Sequence, residues 1–163
     1  MAITTDKTTS LGRFIKEQIK ALEKEPFVKI GILQADYDSE KTTRDQPSES
    51  EAIKVTLGQV ALANEFGTKT IPQRSYIRST FDQNYRKWSR LTEEFRKKVE
   101  RGDMTVERAL GLVGEKIRGD IINTIVTLSE PPNSPATIAR KKSSNPLVDQ
   151  GQLKGSIQYE VVI

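Results

Sequence analysis

The side chains able to do chemistry in this chain are carboxylates, amines, guanidiniums and hydroxyls, because its 163 residues include neither histidine nor cysteine. The usual general base near neutral pH is therefore missing, and with it the commonest transition-metal ligand. No Ser–His or Cys–His relay can be built, and no disulfide can form. Asp36, Asp38 and Glu40 alternate as in a loop that holds a divalent cation. The ligand-fixing glycine and terminal glutamate of a calcium-binding hand are absent, which leaves a solvated acidic loop as the reading. Glu93-Glu94 fits the polar face of a helix. Gly67-Thr68-Lys69-Thr70 has the ending of a phosphate loop, but no glycine stands five residues before Gly67. Tyr85, Arg86, Lys87, Trp88 and Arg90 interleave bases with aromatics in a way that suits stacking on nucleobases. Their aromatic positions follow helical spacing, however, so core is the simpler use. Arg140-Lys141-Lys142, with Lys154 nearby, are candidate phosphate contacts. Nothing converges on a reaction: no enzyme, cofactor or metal site is expected.

The elements that must position these residues can be read from periodicity. Ser10 can cap a helix from about Leu11 to Lys24, with Leu11, Phe14, Ile15, Ile19 and Leu22 as its apolar stripe, and Pro26 stops it. Phe27 to Leu33 alternates as a strand, in which Gly31 marks a bulge or a close backbone approach. Ala35 to Glu51 lacks apolar periodicity and is predicted to be a long exposed loop. Ile53, Val55 and Leu57 suit a short strand; Gln59 to Phe66 suits a short helix ended by a left-handed Gly67, with a strand as the competing choice.

A long helix is predicted from Tyr76 to Glu100, with Ile77, Phe81, Tyr85, Trp88, Leu91, Phe95 and Val99 on one face. A second runs from a Thr105 cap to about Leu128. Gly114 falls within its apolar stripe, where a missing side chain serves either tight packing on the preceding helix or a contact with another subunit. A short helix capped by Ser134, a turn at 151–155 and a final strand at 156–163 complete the chain. The class predicted is α+β: one domain over 1–163, with a small, mainly antiparallel sheet of the early and terminal strands packed against two long helices.

Net charge is +4, distributed unevenly. Six acids face two bases from Ala35 to Glu51, whereas seven bases face three acids from Asn84 to Arg101. Segments of opposite sign can pair within one copy or between copies. No run of about 18 apolar residues exists to cross a membrane. The polar, Thr-rich 1–10 stretch has no apolar signal segment, so synthesis in a host cytoplasm is the expectation.

Three stretches carry a resemblance. Ala61 to Thr68 (A-L-A-N-E-F-G-T) and Ile71 to Arg78 (I-P-Q-R-S-Y-I-R) are the first two. The third is Pro132 to Lys142 (P-N-S-P-A-T-I-A-R-K-K) followed by Asn145 to Ile157 (N-P-L-V-D-Q-G-Q-L-K-G-S-I). In order and separation they resemble the segments of the phage virion-morphogenesis, or tail-completion, family. Ser75, Tyr76 and Gln150 depart from the proline, phenylalanine and threonine or serine usual there.

The resemblance implies a structural component of the tailed-phage neck or head-proximal tail end, forming a ring (hexameric as one option) with copies of itself. Its neighbours would be connector, terminator or tail-tube proteins. A tail terminator or head-completion connector is the alternative within that class, and a DNA-binding protein the alternative outside it. In the structural reading Glu65, Phe66, Gly67, Arg74, Tyr76, Arg78 and Gly114 are candidate contacts. Arg74 and Arg78 suit bidentate bonds to carboxylates of the next copy; internal pairing is their other use, as ordinary core is for Phe66 and Tyr76. Non-specific DNA contact would fall to Arg140, Lys141 and Lys142.

Overall fold

A computed structural model of the chain describes residues 10–33 and 55–163. The acidic segment 35–51, the N-terminal 1–9 and the Ile53 end of the expected second strand lie outside the described residues. In order along the chain are α1 (Ser10–Glu23), β1 (Phe27–Ile32), α2 (Leu57–Phe66), α3 (Ile77–Arg101), α4 (Val106–Thr127), α5 (Pro135–Lys141), α6 (Gln152–Gly155) and β2 (Ile157–Val162). The class is α+β, with β1 and β2 paired antiparallel and α4 packed against both strands at Gly114. Among the described residues no helix is long and apolar enough to cross a membrane.

The described residues gather into two compact units, one of 10–29, 84–117 and 159–163, the other of 30–33, 55–83 and 118–158. In the first, Val99, Val106 and Ala109 form a small core joined by Ala21, Phe95, Met104 and Leu110. Gln18 Oε1 accepts a hydrogen bond from Val106 N at 2.7 Å, satisfying one of the donors left open at the start of α4. This contact turns α1 away from part of its expected stripe. Ile19 and Leu22 are exposed, while Phe14 and Ile15 of the expected stripe are half-buried together with Gln18 and Ala21. Thr105 caps α4 as expected, its Oγ1 accepting from Arg108 N.

Gly114 is buried where α4 meets the sheet. A Cβ there would come within 2.6 Å of the Tyr159 ring and 3.0 Å of Val28. The close approach is real, but its partners are the two strands, not the preceding helix. On the opposite face of the sheet Lys29 and Glu160 pair across the strands at 3.4 Å, both half-exposed. At Gly31 nothing described lies within 4 Å of a would-be side chain, so no close approach is found there. Its φ of +148°, which side-chain-bearing residues rarely adopt, accounts for the glycine.

The second unit is built around Leu57, Ala61, Tyr76, Ile121, Ile125, Leu147, Leu153 and Ile157, all buried. Its first helix begins two residues earlier than predicted, because Thr56 and Gln59 form a reciprocal capping box. Leu57 is thus the first residue of a helix, not the end of a strand. At the other end of α2, Gly67 has φ 75° but ψ 170°, so the cap is not left-handed. Its backbone instead passes against Gln73, whose N would stand 3.0 Å from a Cβ at Gly67. Of the apolar stripe predicted on α3, Trp88 and Val99 are buried, whereas Phe81 (51% exposed) and Tyr85 (56%) face outward.

Candidate functional site

The N-terminus of α3 has no acidic residue in its own first turn. Its free amides are satisfied by Glu65, twelve residues before Ile77 and near the end of α2. Glu65 is 5% exposed. One carboxylate oxygen, Oε2, accepts from Tyr76 N at 2.8 Å and Ile77 N at 2.9 Å. The other, Oε1, accepts from Ser75 Oγ at 2.7 Å, Arg78 N at 3.1 Å and Arg78 Nε at 3.0 Å. Arg78 Nη2 then donates to the Glu65 carbonyl at 2.8 Å, and the guanidinium lies over the Phe66 ring at 4.6 Å. The carboxylate therefore acts as an anion at the positive end of a long helix.

Burial alone would raise the Glu65 pKa. Hydrogen bonds from Ile77 N, from Ser75 and from the amide and side chain of Arg78 outweigh it and hold the carboxyl below its ordinary value. Tyr76, 1% exposed, is pushed up, by burial first and by the Glu65 charge second. Ser75 contributes to this network a hydroxyl that a proline could not.

Arg74 is the second brace. At 6% exposure its Nε donates to Pro131 O at 2.8 Å and its Nη2 to Pro132 O at 2.9 Å. Its backbone N donates to Asn64 O at 2.7 Å. Burial pulls the guanidinium pKa below the usual arginine value. The bidentate geometry expected of Arg74 is present, but it is directed at two carbonyls of its own chain.

Asn145 is the third. Its Oδ1 accepts from Leu147 N and Val148 N, closing the N-P-L-V turn, while its Nδ2 donates to Val126 O at 2.7 Å. Asn133 Nδ2 reaches Asn145 O at 3.3 Å. Lys141 Nζ donates to Asn145 O at 3.1 Å and Pro146 O at 3.2 Å, so this candidate phosphate contact is held by the fold. Arg140 is exposed, and Lys142 ends α5 in the left-handed conformation. Gly67 to Ile71 is a tight turn closed by Thr68, whose Oγ1 accepts from Thr70 N and Ile71 N. It is not a phosphate cradle.

A cleft of about 620 Å³ opens between α2, the 70–74 segment and α5. Val60, Ile71 and Pro72 give it an apolar wall; Arg74, Arg140 and Lys141 line it against one acid, Asp149. Outside the cleft, Leu62 (47% exposed) and Phe66 (59%) lie four residues apart on one face of α2. Of the residues singled out from sequence, Glu65, Phe66, Tyr76 and Arg78 thus belong to one network. Gly67 and Arg74 adjoin it, and Gly114 belongs to the other unit. The cleft itself was missed, since it is formed by residues more than sixty positions apart. Comparison with protein-family models, curated proteins and solved structures found no match to the chain.

Proposed function

We propose that the chain is a structural protein of the tailed-phage neck or head-proximal tail end, which assembles with copies of itself and with neighbouring virion proteins. The observation that carries this reading is the mutual locking of the three stretches that resemble the tail-completion family. Glu65 of the first holds residues 75–78 of the second, Arg74 of the second holds Pro131 and Pro132, and Asn133 and Lys141 bind the Asn145-Pro146 turn. Residues that resemble the family in linear order therefore form one piece of architecture.

The chemistry agrees with that role. Glu65, Arg74, Arg78 and Lys141 each take part in internal bracing, which suits a subunit that must present a fixed shape. Leu62 and Phe66 remain available on the outer face of α2, with the Arg78 guanidinium beside them, a combination common at protein contacts. Duplex DNA binding is less well supported, because Lys141 is already committed to two carbonyls.

Removal of the gene from its phage tests the proposal. The expected result is unjoined heads and tails, with infectivity restored in the extract by the purified protein. Normal titre without the gene, or turnover of a substrate by the purified protein, would overturn it.

A further inference from the structure

We infer that the cleft beside α2 receives the acidic segment 35–51 of a second copy, an inference that rests on the self-assembling role proposed above. Arg74 is the starting point. Its two side-chain bonds go to uncharged carbonyls, so the buried guanidinium has no carboxylate partner among the described residues. Its remaining nitrogen, Nη1, makes no hydrogen bond among the described residues. No buried side-chain nitrogen or oxygen among the described residues is left without a partner. Nη1 is therefore open, and Arg74 lines the cleft. A buried cation without a countercharge favours an incoming anion, because the cost of removing it from water has already been met by folding.

The rest of the cleft narrows the choice of anion. Exposed Arg140 supplies a second cation, and Val60, Ile71 and Pro72 supply apolar surface. Such a site suits a peptide in which carboxylates flank an apolar side chain. It suits a duplex poorly, since a stiff double helix is too wide to enter a cleft of about 620 Å³.

Segment 35–51 carries six acids against two bases, and Asp36-Tyr37-Asp38 sets an aromatic between two carboxylates. The other basic surface, on α3, is already partly neutralised: Arg96 pairs with Glu93 and Glu100, and Lys97 pairs with Glu93. A segment of one copy in the cleft of the next is a contact between unlike surfaces, the kind that closes a ring.

The test uses the full chain in two variants, Arg140→Glu and Asp36→Lys/Asp38→Lys, with mass distribution measured by sedimentation at matched concentration. Arg140 is exposed, so its variant is expected to fold, and circular dichroism checks this. Each variant alone should self-associate about tenfold more weakly than the wild type. An equimolar mixture should recover a dimer, because the first variant keeps an intact acidic segment and the second an intact cleft. No recovery on mixing would assign the cleft to the segment of its own chain, and wild-type association in both variants would remove the contact altogether; either result overturns the inference. So would binding of a short DNA duplex that Arg140→Glu abolishes while self-association is unchanged. None of these failures touches the virion role, which is tested separately by removal of the gene and by the composition of particles.

Discussion

Replacing Glu65 by alanine should be among the most damaging single changes in this protein. The carboxylate accepts five hydrogen bonds, three of them from the backbone amides that open α3. Tyr76 N is buried, and losing its acceptor costs about 1–3 kcal/mol. Loss of the helix cap adds about 1–2 kcal/mol. The Arg78 ion pair contributes less than about 1 kcal/mol, because its guanidinium is 50% exposed. The three together come to about 2–6 kcal/mol, which brackets the roughly 3–5 kcal/mol found when one partner of a buried charged pair is removed. With a urea slope of about 2 kcal/mol/M, the unfolding midpoint should fall by roughly 2 M. Far-UV circular dichroism reports the loss of helix, and fluorescence of Trp88, the single tryptophan, reports the other compact unit. Glu65→Gln keeps the shape but turns an amide NH2 toward backbone N–H donors, so it should fall between the two. A midpoint within about 0.3 M of wild type for Glu65→Ala would refute the capping role.

Other outcomes follow from the same geometry. The folded pKa of Glu65 lies below its unfolded value of about 4.3, so in that window the unfolded state binds more protons. Its contribution is present in full above about pH 4.3 and is lost as pH falls through the folded pKa; Glu65→Gln should flatten that part of an acid-unfolding curve. Gly114→Ala should destabilise by about 1–2 kcal/mol, since overpacking against Tyr159 and Val28 exceeds the gain in helix propensity. Gly111→Ala and Gly119→Ala meet nothing within 4 Å and should stabilise by up to about 1 kcal/mol, which thermal melts will separate from Gly114→Ala. Phe66→Ala should alter stability by less than about 1 kcal/mol yet weaken self-association about tenfold in sedimentation.

The long helices and both strands were legible because their apolar residues recur with the period of the element. The same signal failed where a polar residue set the inward face. Gln18 anchors α1 to the start of α4, which displaces Ile19 and Leu22 from the core. Thr56 with Gln59 was a readable capping pattern that competed with the β-branched residues before it. The role of Glu65 was less accessible, since its partners are ten to thirteen residues away. The clue was negative: a 25-residue helix without an acid in its first turn must find its anion elsewhere. Arg74 was legible as an arginine suited to bidentate bonding, but not its acceptors, the carbonyls of Pro131 and Pro132 fifty-seven and fifty-eight residues away. For Gly114 the spacing predicted a close approach, and only the meeting of β1 and β2 beneath α4 could identify what approaches.

The most direct measurement is the copy number and position of this chain in purified particles, by quantitative mass spectrometry together with electron cryomicroscopy of the head–tail junction. The predicted result is a small, fixed number of copies per particle, arranged as a ring at the neck or head-proximal tail end. Absence from both mature particles and assembly intermediates would contradict it.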